Sequence, residues 1–191
     1  PVDHLYASSL LCEYARRMGI VNDNLVVVSP DAGSAKRARA YANMIGCNVA
    51  IGDKVRLGHD ENPNALEIIG DVKGKTCMIV DDFTLSGNTL CKAAYGLMDK
   101  GAKEVYAFLS HAILKSDAVE RIEASPIKQL VTTDTVDNSD VLGGSTKIKI
   151  VSAAPLFAEA VRTIHERQPM SYMFGHLPER LLNMSFEGLD V

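Results

Sequence analysis

The sequence contains no Cys-x-x-Cys pair, although four cysteines are present, Cys12, Cys47, Cys77 and Cys91. That spacing is the usual mark of a zinc ribbon or a thioredoxin-like redox site, so neither is expected. Three of the four lie in apolar or helical patterns and read as buried free thiols. Free thiols suit a reducing, cytoplasmic setting rather than a disulfide scaffold. The five histidines, His4, His59, His111, His165 and His176, show no metal-ligand spacing. No apolar run approaches the roughly 20 residues of a membrane span. There is no excess of basic residues: 20 Lys and Arg stand against 24 Asp and Glu, a net charge of −4. A nucleic-acid partner is therefore not expected. Nor is there an internal repeat or a low-complexity segment. The chain begins Pro1-Val2-Asp3 rather than with Met, so processing, tag cleavage or a longer parent chain is expected.

What is present is an ordinary globular composition, 47% apolar over 191 residues, which suits one domain with an appendage. Residues 8–18 carry apolar side chains at helical spacing, ending at Gly19. Residues 25–28 form a continuous β-branched run, the pattern of a strand buried on both faces. A turn cluster at 29–34, a helix at 35–45 and a second strand at 47–51 follow. Residues 52–64 are polar and rich in turn formers, so a long loop is expected. Further strands are expected at 65–69, 77–80, 104–109, 128–133 and 147–152. Helices are expected at 89–99, 116–123 and 154–167. Strands alternating with helices predict an α/β fold with a mostly parallel, doubly wound sheet.

The most informative stretch is Ile79-Val80-Asp81-Asp82-Phe83-Thr84-Leu85-Ser86-Gly87-Asn88-Thr89. A buried strand ends in two carboxylates, and a small polar loop leads into a helix. In open α/β sheets, ligands collect outside the carboxyl ends of the strands. Ser86, Gly87, Asn88 and Thr89 could wrap a phosphate with backbone N–H groups and hydroxyls. Asp81 and Asp82 could accept sugar hydroxyls or hold a hydrated Mg²⁺. The plain alternative is an N-cap followed by a solvated turn. Asp31, after another buried strand, is either a Mg²⁺ contact or a turn aspartate. Lys54 and Arg56 are either solvated or placed to close over a polyphosphate. Lys36, Arg37 and Arg39 read as a solvated helix face from which one cation could reach an anion.

Together these residues resemble the ribose-phosphate pyrophosphokinase (phosphoribosyl pyrophosphate synthetase) family, along nearly the whole chain to about Phe174. The resemblance is carried by Val26-Val27-Val28-Ser29-Pro30-Asp31-Ala32-Gly33, then Arg37-Ala38-Arg39-Ala40, and by Ile69-Gly70-Asp71-Val72-Lys73-Gly74. It continues through Leu90-Cys91-Lys92-Ala93-Ala94, Gly101-Ala102-Lys103-Glu104-Val105-Tyr106-Ala107, Ser125-Pro126-Ile127 and Leu156-Phe157-Ala158-Glu159-Ala160. The family's sugar-phosphate loop commonly reads Asp-Asp-x-x-Asp-Thr-Gly-Gly-Thr. Here Leu85 stands in place of the third Asp, Ser86 of the Thr, and Asn88 of the second Gly. Asn88 is therefore expected to carry a backbone geometry that glycine adopts freely.

The resemblance implies a type I phosphoribosyltransferase-like α/β domain. It also implies a reaction in which ribose 5-phosphate and Mg-ATP give 5-phosphoribosyl 1-diphosphate and AMP. By that likeness Ser86, Gly87, Asn88 and Thr89 hold the 5-phosphate, and Asp81 and Asp82 the ribose hydroxyls. Asp31 contacts Mg²⁺, and Lys54 and Arg56 stabilise the transferring group. A homo-oligomer is implied as well. Residues 1–7 read as a connector from a missing N-terminal domain, 8–168 as the phosphoribosyltransferase-like domain and 169–191 as a tail. The apolar residues near Met170 to Phe174 are expected to be exposed or in an oligomer contact. Two other readings stay open: a non-catalytic regulatory subunit of a synthetase, and a phosphoribosyltransferase.

Overall fold

The computed structural model describes residues 2–54 and 66–183, the side chains of Lys54 and Leu66 excepted. Its strands are β1 (Leu25–Ser29), β2 (Asn48–Lys54), β3 (Leu66–Ile69), β4 (Thr76–Thr84), β5 (Glu104–Ala112), β6 (Ile127–Thr133) and β7 (Ile148–Val151). The helices are α1 (Ser8–Arg17), α2 (Ala35–Ile45), α3 (Asn88–Asp99), α4 (Ser116–Ala124), α5 (Ala154–His165) and the short α6 (Glu179–Leu182).

The strands form one sheet in the order β3-β2-β1-β4-β5-β6-β7. Every pairing is parallel except β2 with β3. This is the expected doubly wound α/β sheet with one antiparallel edge strand. The β-branched runs explain it. All five residues of β1 are buried, and side chains alternate across a strand, so both faces need covering. Val26, Val28, Cys77 and Ile79 pack with Leu90, Ala93, Ala94 and Leu97 of α3 and with Ala118 and Ile122 of α4. Val27, Met78 and Val80 point the other way, into a second core with Leu10 and Leu11 of α1, Ala38 and Tyr41 of α2, and Leu156 and Ala160 of α5.

Chain punctuation follows local chemistry. α2 ends at Gly46, whose φ of +85° is left-handed and whose N–H returns to Ala42 O at 2.7 Å, as glycine permits after a helix. Gly70 has a sharper requirement. A Cβ there would lie 2.9 Å from Ala50 Cβ, so only glycine lets the end of β3 approach β2.

The segment after α5 departs from expectation. Met173 is 2% exposed and, with Leu177 and Leu181, joins the second core. Tyr172 helps fix it there, its hydroxyl within 2.5 Å of Thr163 Oγ1 and donating to Glu159 Oε1 at 3.0 Å. Tyr172 and Phe174 keep the exposure expected of this stretch, and Met170 is half-buried. Irregular spacing hid the packing: Met173 belongs to a short 3₁₀ turn, Met170–Met173, Leu181 to α6, and Leu177 to the link between them.

Candidate active site

β1 lies at the switch point of the sheet. α2 carries the chain from β1 outward to β2, whereas α3 carries it from β4 the opposite way to β5. The carboxyl ends of β1 and β4 therefore flank the crevice where ligands bind in such sheets. β1 ends its pairing with β4 at Val28 opposite Ile79. β4 runs on beside β5, with Asp81 opposite Leu109, Phe83 opposite His111 and Thr84 opposite Ala112. Asp81 and Asp82 thus belong to the strand itself, along an edge that β1 no longer covers.

That uncovered edge is filled from the β1 side. Asp31 caps the 3₁₀ turn Ala32–Ser34 by accepting Ser34 N–H at 2.9 Å. Ser29 Oγ donates to Asp31 O at 2.6 Å and braces the turn. Ser34 Oγ in turn donates to Asp81 Oδ1 at 3.1 Å. Arg37, one turn into α2, donates from Nη1 to Asp81 Oδ1 and from Nη2 to Asp82 Oδ2, both at 2.6 Å. Arg37 is therefore no solvated side chain. The acidic pair is its partner, 44 and 45 residues away in sequence.

The two carboxylates differ in setting. The Asp81 side chain is 14% exposed and that of Asp82 50%. Burial pushes the Asp81 carboxyl above its usual range, against the pull of Asp82 N–H, the Ser34 hydroxyl and the Arg37 guanidinium. Asp82 Oδ1 accepts Phe83 N–H at 2.9 Å.

The loop between β4 and α3 is fixed at both ends. Thr84 Oγ1 accepts Gly87 N–H at 3.1 Å, and Ser86 Oγ accepts Asn88 N–H at 3.4 Å. Arg121 of α4 donates from Nη1 to Ser86 O and pairs with Asp117 through Nη2 at 3.3 Å. Gly87, not Asn88, takes the left-handed conformation, with φ +69°. Asn88 is the first residue of α3. The expectation of a glycine-like backbone at Asn88 is thereby corrected, because the turn is completed one residue earlier. The first turn of α3 holds no acidic residue, so no carboxylate of its own opposes the positive end of its dipole, although Asn88 N–H is already taken by Ser86 Oγ. Ser86 and Thr89 are half-buried beside it and Asn88 is exposed.

Lys54 closes β2, whose Ile51 pairs with Ser29. Its backbone therefore leaves the sheet at the carboxyl edge, whereas its side chain and the whole of Arg56 lie outside the described residues. His111, on the same edge, hydrogen-bonds through Nδ1 with Thr135 Oγ1 at 2.6 Å.

Among the described residues, no group of three or more His, Cys, Asp or Glu could hold a metal ion. The donors at Asp31 are nonetheless hard carboxylate oxygens on a braced turn. Mg²⁺ commonly takes one or two carboxylates and fills its shell with substrate phosphates and water. Asp31 fits that role as a single anchor, not as part of a preformed cage. No helix among the described residues is long and apolar enough to cross a membrane.

Sequence reasoning missed Ser34, Thr84 and Arg121, and it undervalued Arg37. The only signal for Arg37 was its place in the Arg37-Ala38-Arg39-Ala40 motif, downstream of Asp31.

Comparison with known proteins gives the arrangement a context. The chain is 43% identical over 175 residues to a ribose-phosphate pyrophosphokinase of Neisseria meningitidis serogroup A, covering 92% of this chain and 53% of that protein. It is 44% identical over 178 residues to a protein of the same name from Clostridium tetani, covering 91% and 54%. The crystal structure of phosphoribosylpyrophosphate synthetase from Mycobacterium smegmatis matches with a TM-score of 0.75 at 30% identity, covering 87% of this chain and 53% of that one. The fold is thus the type I phosphoribosyltransferase-like one that the sequence resemblance implied. The chain spans about half the length of the curated relatives it matches. The family model described as phosphoribosyl synthetase-associated domain matches residues 56–175, more than half of the sequence, and the chain belongs to that family.

Proposed function

We propose that this chain supplies the sugar-phosphate half of an enzyme making 5-phosphoribosyl 1-diphosphate and AMP from ribose 5-phosphate and ATP. The observation that carries the reading is the meeting, at one switch point, of an acidic pair and a helix N-terminus free of acid. A sugar phosphate needs both, hydroxyl acceptors and an anion cradle. The likeness to named pyrophosphokinases supports the same choice. Because the chain spans about half of those relatives, turnover is assigned to a protein that includes the remainder.

In this reading, Ser86, Gly87, Asn88 and Thr89 hold the 5-phosphate, and Asp81 and Asp82 orient the ribose. The anomeric hydroxyl then attacks the β-phosphorus of ATP and gives up its proton to solvent. The bond from that phosphorus to the oxygen bridging to the α-phosphate breaks, and AMP leaves. Such a transfer depends mainly on alignment and on neutralising charge. Lys54 and Arg56 are the cations assigned to the transferring diphosphoryl group. Asp31 would hold Mg²⁺, which when bound neutralises phosphate charge. The free thiols suit a cytoplasmic enzyme. The exposed stripe Phe157, Val161 and Ile164 on α5 supports assembly into a homo-oligomer.

The test is calorimetric titration of the chain with ribose 5-phosphate, with and without Mg²⁺, beside a Ser86→Ala/Thr89→Ala variant. Hydrogen bonds to a charged group contribute about 1.5–3 kcal/mol each. The double variant should therefore bind at least roughly tenfold more weakly. Equal binding by both proteins would remove the loop from the site.

A further inference from the structure

Adjacent residues in a strand point to opposite faces. Asp81 and Asp82 both lie in β4, so their carboxylates should diverge. They do not: one guanidinium holds an oxygen of each at 2.6 Å. The position of Arg37 explains how. It enters from α2 where β1 has ended and β4 lacks a neighbour on that side. Its planar fork spans the gap that a continued β1 would have filled.

Resting on the sugar-phosphate reading above, we propose that Arg37 is a positioning residue. It aligns Asp81 and Asp82 as one double acceptor for neighbouring sugar hydroxyls, and thereby sets selectivity for a ribose phosphate over a 2-deoxyribose phosphate.

Three features carry this. First, Asp81 Oδ1 is held by three donors: Arg37 Nη1, Ser34 Oγ and Asp82 N–H. The orientation of that carboxylate is therefore set before any ligand arrives. Second, an ionised carboxylate has about four lone-pair sites. None of those three donors occupies Oδ2, and Asp82 keeps half its side chain exposed. Both acids retain acceptor capacity while Arg37 holds them. Third, the guanidinium offsets one of two adjacent negative charges beside an intended phosphate site. Without it, the carboxylates would repel each other and the incoming anion.

A double acceptor built this way discriminates by what it leaves unpaired. A ligand lacking one hydroxyl strands an acceptor already stripped of much of its water, and sites of this kind reject such analogues strongly. Lysine cannot replace the fork, because its ammonium is a single point charge.

The experiment measures binding of ribose 5-phosphate, 2-deoxyribose 5-phosphate and inorganic phosphate to the 191-residue chain by calorimetry. It compares the unaltered protein with Arg37→Gln and Arg37→Lys, each checked for folding by circular dichroism. The unaltered chain should prefer the ribose ligand by roughly tenfold or more. Both variants should bring that ratio to within about threefold, a difference below about 0.7 kcal/mol. Inorganic phosphate should still bind both variants. If either folded variant keeps the original ratio, the positioning role is overturned although the sugar-phosphate reading stands. Should Arg37→Gln fail to fold, Arg37→Lys decides alone. No preference over the deoxy sugar in an unaltered chain that binds ribose 5-phosphate would overturn this inference alone, whereas no saturable ribose 5-phosphate binding would overturn the underlying reading and this inference with it.

Discussion

Replacing Gly87 by Ala separates two reasons for a glycine in the loop. Gly87 has φ +69°, and an added Cβ would lie 3.2 Å from Ile122 Cγ1 and 3.3 Å from Cδ1. Gly74 is the natural control, with φ +72° and nothing within 4 Å of an added Cβ. At Gly74 only backbone strain operates, about 1–2 kcal/mol for a left-handed residue. Stiffening of the unfolded chain offsets about 0.4–1 kcal/mol of that. The net cost is about 1 kcal/mol, or roughly 2–4 °C in a domain of this size. At Gly87 the same strain is joined by overpacking against α4, typically about 1–3 kcal/mol. Gly87→Ala should therefore melt roughly 5–10 °C below the unaltered protein, clearly beyond Gly74→Ala. The assay is thermal unfolding followed by circular dichroism, confirmed by urea titration at fixed temperature. Equal losses at the two positions would refute the claim that α4 sets the shape of the loop. Gly87 would then be needed only for its backbone.

Two other outcomes are expected. Hydrogen bonds from Arg162 hold the Glu159 carboxyl below its usual range, so its contribution to stability is present above the ordinary glutamate range and is lost as pH falls through the lowered value. Glu159→Gln should unfold a few degrees earlier at pH 7, roughly 2–4 °C. The gap should narrow on acidification in a series of melts, and a constant gap from pH 7 to pH 3 would contradict the assignment. Burial pushes the Cys12 and Cys77 thiols up to about 12 and also raises Cys91 and the half-buried Cys47. A thiol-specific dye should label Cys47 first in the native protein and all four cysteines only after denaturation; prompt native labelling of Cys12 or Cys77 would show that the cores open.

What could be read from the sequence was what local pattern determines. The apolar runs 25–28 and 77–80 became the central strands, and helical spacing located α1 and α2 to within a residue or so. The junction of β4, loop and α3 was visible because strand, small polar turn and helix follow one another directly. The remainder depended on partners distant in sequence. Two adjacent aspartates look like the end of a strand, yet β4 continues to Thr84, because β5 supplies its ladder and Arg37 offsets its charge. Lys36, Arg37 and Arg39 look alike along the helix, and only the fold shows which of them meets the acids. Analogy with a glycine puts the positive-φ residue at Asn88, whereas the chain takes it at Gly87, where a Cβ would crowd Ile122. Met173 sits in a turn without period, and its burial depends on α5 and α6.

The sheet order has a further consequence. Residues 25–69 build β1 to β3 and residues 76–151 build β4 to β7. Within the sheet, these two halves are joined by a single ladder, Leu25–Val28 against Thr76–Ile79. Ser34 and Arg37 belong to one half, Asp81 and Asp82 to the other. A small molecule lodged among them therefore acts as a staple across that joint. By mass action, its binding energy is added to whatever opening must separate the halves. Amide hydrogens along β1 and the start of β4 should then exchange with solvent more slowly in proportion to occupancy, while those of β7 at the far edge keep their unliganded rates.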